Sequence, residues 1–200
     1  KKIIYASSSS VYGDTKVFPL KENQKINPKN IYALSKKINE EMANVFSAQY
    51  KISFIGLRFF TVYGEWGRPD MFMMKYLNSS YDFSKKFYLN NFGNHTRDFT
   101  YINDACEIIK KIINLKKKTS NEVFNICSNN PINLSKIISK LNKLTRKKPK
   151  LFKRSLQEAD VIKTHGSNHK IISKVGKHKF TSIDVGLDKT VSWFREYYKY

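Results

Sequence analysis

The chain has 200 residues, 40% hydrophobic and 14% aromatic, enough apolar material to build a core, which excludes a disordered chain. Its net charge is +21, yet 31 of the 37 basic residues are lysine and only 6 are arginine, while Asn (18) and Ile (20) are also abundant. Those three residue types share A/T-rich codons, and arginine, the better bidentate reader of phosphates and bases, is scarce, so compositional drift accounts for the charge and no nucleic-acid partner is expected.

Lys2 to Ala6 is a short apolar run that enters a serine cluster, and it reads as a buried strand ending in a functional loop. Pro28 to Tyr50 predicts a long helix, with Ala33, Ile38, Met42, Val45 and Phe46 as its apolar stripe. Ile52 to Leu57 predicts a second buried strand. Thr61 to Asp70, with Gly64, Gly67 and Pro69, reads as a loop. Met71 to Leu77 predicts a short helix and Phe87 to Leu89 a short strand. Ile102 to Leu115 carries helical apolar spacing with Asn103 as a cap candidate. A strand at Val123 to Ile126, a helix at Leu134 to Leu144 and a terminal helix at Ile183 to Tyr197 complete the pattern. Lys136 to Arg154 holds nine basic side chains and no acid, with Lys136, Lys140, Lys143 and Lys147 on a solvated face opposite Ile137, Ile138, Leu141 and Leu144.

Strands alternating with helices predict an α/β fold with a largely parallel sheet, in which chemistry collects at the carboxyl ends of strands. No apolar run reaches membrane-spanning length, and the richest, Ile52 to Phe60, contains Arg58. Cys106 and Cys127 read as reduced thiols. His165 and His169 lie four apart without an acidic or cysteine neighbour, so no metal site is expected. The chain begins at Lys1, not methionine, and is expected to be a piece of a longer, cytoplasmic protein.

Tyr32-Ala-Leu-Ser-Lys36 places a phenol and an ammonium on one helix face. A neighbouring ammonium favours a phenolate, so the pair can serve as general base toward an alcohol. Such a spacing is common by chance. Its position after a strand ending in Ser8 is the layout of the short-chain dehydrogenase/reductase superfamily.

The resemblance extends through Tyr5-Ala-Ser-Ser-Ser-Ser-Val-Tyr-Gly13, Leu57-Arg-Phe-Phe-Thr-Val-Tyr-Gly64, Trp66-Gly-Arg-Pro-Asp-Met71 and Arg97-Asp-Phe-Thr-Tyr-Ile102. These segments resemble the extended, NAD-dependent sugar-nucleotide epimerases and dehydratases, and within them the UDP-glucuronate 4-epimerases that accompany surface-polysaccharide genes. The likeness is strong to about residue 133, weakens over 134–180 and returns in Trp193 to Tyr198.

The resemblance implies the C-terminal part of a Rossmann-like doubly wound sheet plus a smaller α/β sugar-nucleotide-binding domain. Residues 1–68 would be the second half of the NAD-binding domain. Residues 69–200 would be mainly substrate-binding, with 102–127 returning to the Rossmann sheet. It implies Tyr32 as the base for the sugar 4-hydroxyl, Lys36 as its partner and ribose ligand, and Ser8 on the reacting oxygen. Ala6, Ser7 and Phe60 would join Tyr32 and Lys36 around NAD. Ser9, Ser10, Thr61, Arg68, Phe87, Leu89 and Arg97 would join Ser8 around the UDP-sugar. Related dehydratases carry Asp-Glu where Ser9-Ser10 stand, which favours epimerisation, and Arg68 suits a uronate carboxylate. Arg68 also has a plainer use, as a loop ion pair with Glu65 or Asp70.

A homodimer is implied for the full-length protein. Several positions depart from the family pattern. Glu65 replaces a usual proline, Cys127 a usual glycine and Gly166-Ser167 a usual Ala-Asp; Gln157 to Val161 lacks a usual arginine; and the connection after Leu115 is short. The glycine-rich phosphate turn of a dinucleotide fold does not occur in the sequence, so the chain alone is expected to bind NAD poorly. The alternatives are a non-catalytic sugar-nucleotide-binding piece, another epimerase or dehydratase of the same family, or a nucleic-acid binder using the lysine face.

Overall fold

A computed structural model describes residues 1–115, 121–157 and 160–200. Part of the connection after Leu115, together with Glu158 and Ala159, lies outside the described residues.

The first sheet is fully parallel, in the order β1 (Lys2–Ser8), β2 (Ser53–Phe59), β6 (Glu122–Ile126). β2 and β6 are rich in Ile, Phe, Leu and Val and largely buried, whereas β1 leaves Ile3 and Ala6 exposed. At Phe60 the chain leaves this sheet and enters a second, in the order β3 (Thr61–Tyr63), β5 (Thr96–Tyr101), β7 (Pro131–Asn133). In it, β3 and β5 are parallel and β7 is antiparallel to β5. A third, two-stranded sheet pairs β4 (Phe87–Leu89) with β8 (Leu151–Lys153). The architecture is an α/β fold with a Rossmann-like parallel sheet. Sequence reading treats 61–70 as loop and passes over β3, β5, β7 and β8. Three of these span only three residues, too few to show a period.

Helices α2 (Phe72–Tyr81), α4 (Leu134–Thr145) and α6 (Ile183–Tyr198) pack on the second sheet around Tyr76, Leu77, Leu141 and Phe194. Helix α3 (Ile102–Ile113) returns to the first sheet, where Ile108 and Ile112 meet Ile55, Leu57, Phe124 and Ile126, with Ile171 from α5 (His169–Val175). No side chain caps α3 at its start: its cap position is Tyr101, and the sequence-based choice of Asn103 lies inside the helix. On α4 the lysine face is solvent-facing, with Lys140 paired to Asp184 and the Lys147 ammonium over the Tyr81 ring.

Helix α1 (Ile31–Tyr50) begins three residues later than Pro28, capped by Asn30, whose side chain accepts from the Ala33 amide. Its buried positions are Ala33, Glu40 and Ala43. The stripe expected to be apolar and buried is instead exposed at Ile38, Met42, Val45 and Phe46. Periodicity weights large apolar side chains, and here the face on the sheet is made of small residues and one carboxylate.

A third core cluster joins Val11, Tyr12, Leu20, Phe60 and Cys127 where the two larger sheets meet. Gly166 closes it: a Cβ there would lie 2.5 Å from Phe60 Cζ and 2.6 Å from Cys127 Sγ. The thiol at 127 and the glycine at 166 are therefore one packing decision. Gly166→Ala is expected to cost about 1–3 kcal/mol by overpacking. Adding Cys127→Gly should recover the thiol's share. Urea midpoints of the single and double variants check this, and strictly additive losses would refute the coupling.

Candidate active site

The carboxyl end of β1 runs into a 3-10 turn, Ser9–Tyr12, whose start is capped by Ser8: its Oγ accepts from the Ser10 amide at 3.1 Å. The Ser8 hydroxyl also donates to Ser10 Oγ at 3.1 Å. Gly13 ends the turn at φ +64°, a conformation that favours glycine, and a Cβ there would sit 1.9 Å from the Asn27 carbonyl.

Two turns of α1 face this loop. The Lys36 ammonium donates to the Ala6 carbonyl at 3.2 Å and stands 5.7 Å from the centroid of the Tyr32 ring. Tyr32 is 54% exposed, and among the described residues its hydroxyl has no hydrogen-bond partner. The structure thus brings phenol, ammonium and the end of β1 to one rim. Tyr12 is not a competing base. Burial pushes its phenol up to about 12, and its hydroxyl donates to Asn125 Oδ1 at 2.7 Å. Tyr63 is likewise buried, and burial raises its phenol too.

Beside that rim lies a crevice of about 210 Å³. Ser9, Ser10, Thr61 and Arg97, four of the residues expected around a sugar nucleotide, line it together. Lys29, Asn30, Asp160 and Thr164 line it too. Sequence reading did not assign these four. The available signals were the cap position of Asn30 and the placement of Asp160 in the divergent segment before Val161. Arg97 Nη1 donates to the Thr96 and Ile162 carbonyls at 3.1 and 3.0 Å. Among the described residues its other guanidinium nitrogens have no partner. Behind it, His95 is buried, and its Nε2 has no hydrogen-bond partner among the described residues and lies 3.9 Å from Asp160 Oδ2. Burial and the Arg97 charge hold that imidazole below its ordinary range.

Other expected site residues stand differently. The Ser7 hydroxyl is buried and donates to Glu40 at 2.5 Å, leaving the Ser7 main chain as what it can present to a cofactor. Phe60 is core, leaving its backbone as what it can present. Phe87 and Leu89 are 3% and 6% exposed inside the second core, against Phe72 and Tyr76 in the case of Phe87. Their side chains hold the sheet, and only their main chain can reach a ligand. Arg68 makes a bidentate, exposed pair with Asp70 at 3.0 and 2.5 Å, the plainer of its two uses, while Glu65 accepts from the Tyr101 hydroxyl. The Asp70 hydrogen bonds and charge raise the Arg68 guanidinium, with a smaller contribution from Tyr32 across the rim.

A larger cleft, about 870 Å³, opens on the α1 side of β6 and includes Glu40, Arg58, His169 and Lys170. None of Ser8, Tyr32 and Lys36 lines it. His165 Nε2 lies 2.7 Å from Asn129 Oδ1, and among the described residues no group of three or more His, Cys, Asp or Glu could hold a metal ion. Among them, too, no helix is long and apolar enough to cross a membrane.

A profile described as the NAD dependent epimerase/dehydratase family matches residues 1–127. The chain is 39% identical to an uncharacterized protein of Methanocaldococcus jannaschii over 98% of its own length and 60% of that protein's. It is 34% identical to UDP-glucuronate 4-epimerase 2 of Arabidopsis thaliana over 98% of its length and 49% of the relative's. Among solved structures, UDP-glucuronic acid 4-epimerase from Bacillus cereus, in complex with UDP-glucuronic acid and NAD, superposes with a TM-score of 0.92 at 27% identity. That superposition covers 98% of this chain and 62% of the other. The chain thus spans about half to two thirds of the length of the relatives it matches.

Proposed function

Because the chain belongs to the NAD dependent epimerase/dehydratase family, we propose that it is the C-terminal part of a UDP-uronate 4-epimerase. That enzyme would interconvert UDP-glucuronate and UDP-galacturonate, in the cytoplasm, for surface polysaccharide. In this reading residues 1–68 and 102–127 complete the NAD-binding unit, and the remainder of 69–200 forms most of the substrate unit. The observation that carries it is the Lys36 ammonium held at the end of β1 and over the Tyr32 ring, beside the capped serine turn.

The residues present fit the nicotinamide-ribose end of NAD: an exposed phenol whose hydroxyl has no partner among the described residues, an ammonium beside it and main chain at Ala6 and Phe60. The pyrophosphate turn is not in the sequence. When bound, NAD supplies a hydride acceptor and donor. Tyr32 takes the proton of the sugar 4-hydroxyl, with the Lys36 ammonium beside its ring. Ser8 hydrogen-bonds the same oxygen as it becomes a ketone. Arg97 holds a phosphate of the UDP, and Ser9, Ser10 and Thr61 offer hydroxyls to the sugar. The serines cannot expel water as carboxylic acids can, so the ketone is returned to an alcohol on either face.

Arg68 reads the uronate carboxylate by exchanging it for Asp70. Solvent-exposed pairs of this kind hold weakly, so a second carboxylate can compete. The exposed apolar face of α1 supports a homodimer in the full-length protein.

Product analysis of the NAD-loaded full-length protein tests the reading. UDP-glucuronate should yield UDP-galacturonate, and its quantitative recovery unchanged would overturn the proposal. Arg68→Ala should lower kcat/KM for the uronate by roughly 10- to 100-fold, the share of a charged hydrogen-bonded pair, and spare UDP-glucose. Equal losses on both sugars would remove Arg68 from carboxylate recognition.

A further inference from the structure

Two consecutive residues of β1 are tied to two consecutive turns of α1. The Lys36 ammonium donates to Ala6, and one turn later Glu40 accepts from Ser7. The same carboxylate takes a bidentate grip from Arg58, Nε to Oε1 at 2.9 Å and Nη2 to Oε2 at 2.7 Å.

Arg58 is the register partner of Ser7 on one side and of Asn125 on the other. The three form a polar row across β1, β2 and β6, one residue short of Ser8, Phe59 and Ile126 at the strand ends. The row is anchored from above. Arg58 Nη1 donates to the Glu22 carbonyl at 3.3 Å, the Tyr12 ring lies 4.8 Å from the guanidinium, and Asn125 Nδ2 donates to the Leu20 carbonyl at 2.9 Å. Ser7, Glu40, Arg58 and Asn125 are all buried.

Such an arrangement does something that apolar packing cannot. Hydrophobic contact has no direction, and apart from Glu40 the buried positions of α1 among the described residues are the small side chains Ala33 and Ala43, which hold its position weakly. A bidentate guanidinium–carboxylate pair fixes both distance and angle. Buried ion pairs contribute little net stability compared with apolar replacements, and their best-attested use is to hold register. Lys36 lies one turn, and Tyr32 two turns, before Glu40 on the same helix. Any shift at Glu40 is therefore carried to both.

We propose that Glu40, gripped by Arg58 and Ser7, is the positioning residue that sets where Tyr32 and Lys36 stand against the Ser8 turn. The inference rests on the reading of Tyr32 and Lys36 as the reacting pair.

The test compares three full-length enzymes: wild type, E40Q and the double apolar variant E40M/R58M. In the double variant neither member of the pair is left buried without its partner, so thermal unfolding should stay near the wild type's. Its kcat should fall about 100-fold with KM unchanged, as expected for a misplaced reacting group. E40Q, which keeps the side chain's length but breaks the two-point grip, should fall in the same direction. If the double variant does not fold, E40Q carries the comparison. Folded variants with the wild-type kcat overturn the proposal, as does a loss explained entirely by a smaller folded fraction.

Crystal structures of the same proteins give a readout independent of turnover: the Lys36 ammonium should leave the Ala6 carbonyl. Lys36 and Tyr32 unmoved in a variant also overturn the proposal. A wild type that ignores uronates and epimerises another UDP-sugar defeats the substrate reading only, and the kcat comparison is then made on that sugar.

Discussion

Replacing Tyr32 by phenylalanine in the full-length protein is expected to lower kcat by about 100- to 10,000-fold, the range a positioned general base contributes. The KM for the UDP-sugar should hardly move. The Tyr32 hydroxyl has no partner among the described residues, so its removal leaves no buried group unsatisfied and no packing defect. The loss should therefore fall on the chemical step alone. Product formation from UDP-glucuronate, followed with unfolding curves that match the wild type, checks this. Turnover retained in the variant would take the role of base away from Tyr32, and the next hydroxyl on the rim, Ser8, would have to be considered.

The largest effect on stability is expected at Phe194. It is fully buried in the core between α6 and the second sheet, and its ring lies 4.6 Å from Tyr198, 5.7 Å from Tyr81 and 5.9 Å from Tyr200. Phe194→Ala removes the whole ring from this cluster and is expected to cost about 3–5 kcal/mol, a large fraction of a typical domain's total. The urea midpoint should fall at unchanged slope. A loss below about 1 kcal/mol would mean that the aromatic residues around it collapse into the space, a degree of relaxation that close-packed cores rarely show. The consequence for function is indirect: α6 packs against β5, which carries Arg97 into the crevice.

The elements that the chain announces most clearly are those whose signal is local. The runs at β1 and β2, the helices α3, α4 and α6 and the Tyr32–Lys36 spacing depend on residues within one or two turns of each other. Local spacing also placed the serine turn at a strand end, and the quoted motifs carried the family resemblance. Where the reading failed, the deciding partner was distant. The stripe on α1 is apolar by periodicity, but what it faces depends on which side of the helix the sheet occupies, and the sheet took the side with Ala33, Glu40 and Ala43. The partner of the Ser7 hydroxyl is likewise distant, a carboxylate 33 residues away.

What the sequence by itself determined is therefore the alternation of strand and helix, the pairing of a phenol with an ammonium at the end of a strand, and the lack of a glycine-rich phosphate turn. Only the tertiary structure decided the rest. Arg58 of the second strand spans Glu40 and the Ser7–Asn125 row. Asp160 and Thr164 share a crevice with Ser9, Ser10 and Thr61. Phe87 and Leu89 face inward. The physical reason is the same in each case: backbone periodicity reports neighbours three or four residues apart, whereas burial and charge pairing are settled between segments brought together only when the sheets close.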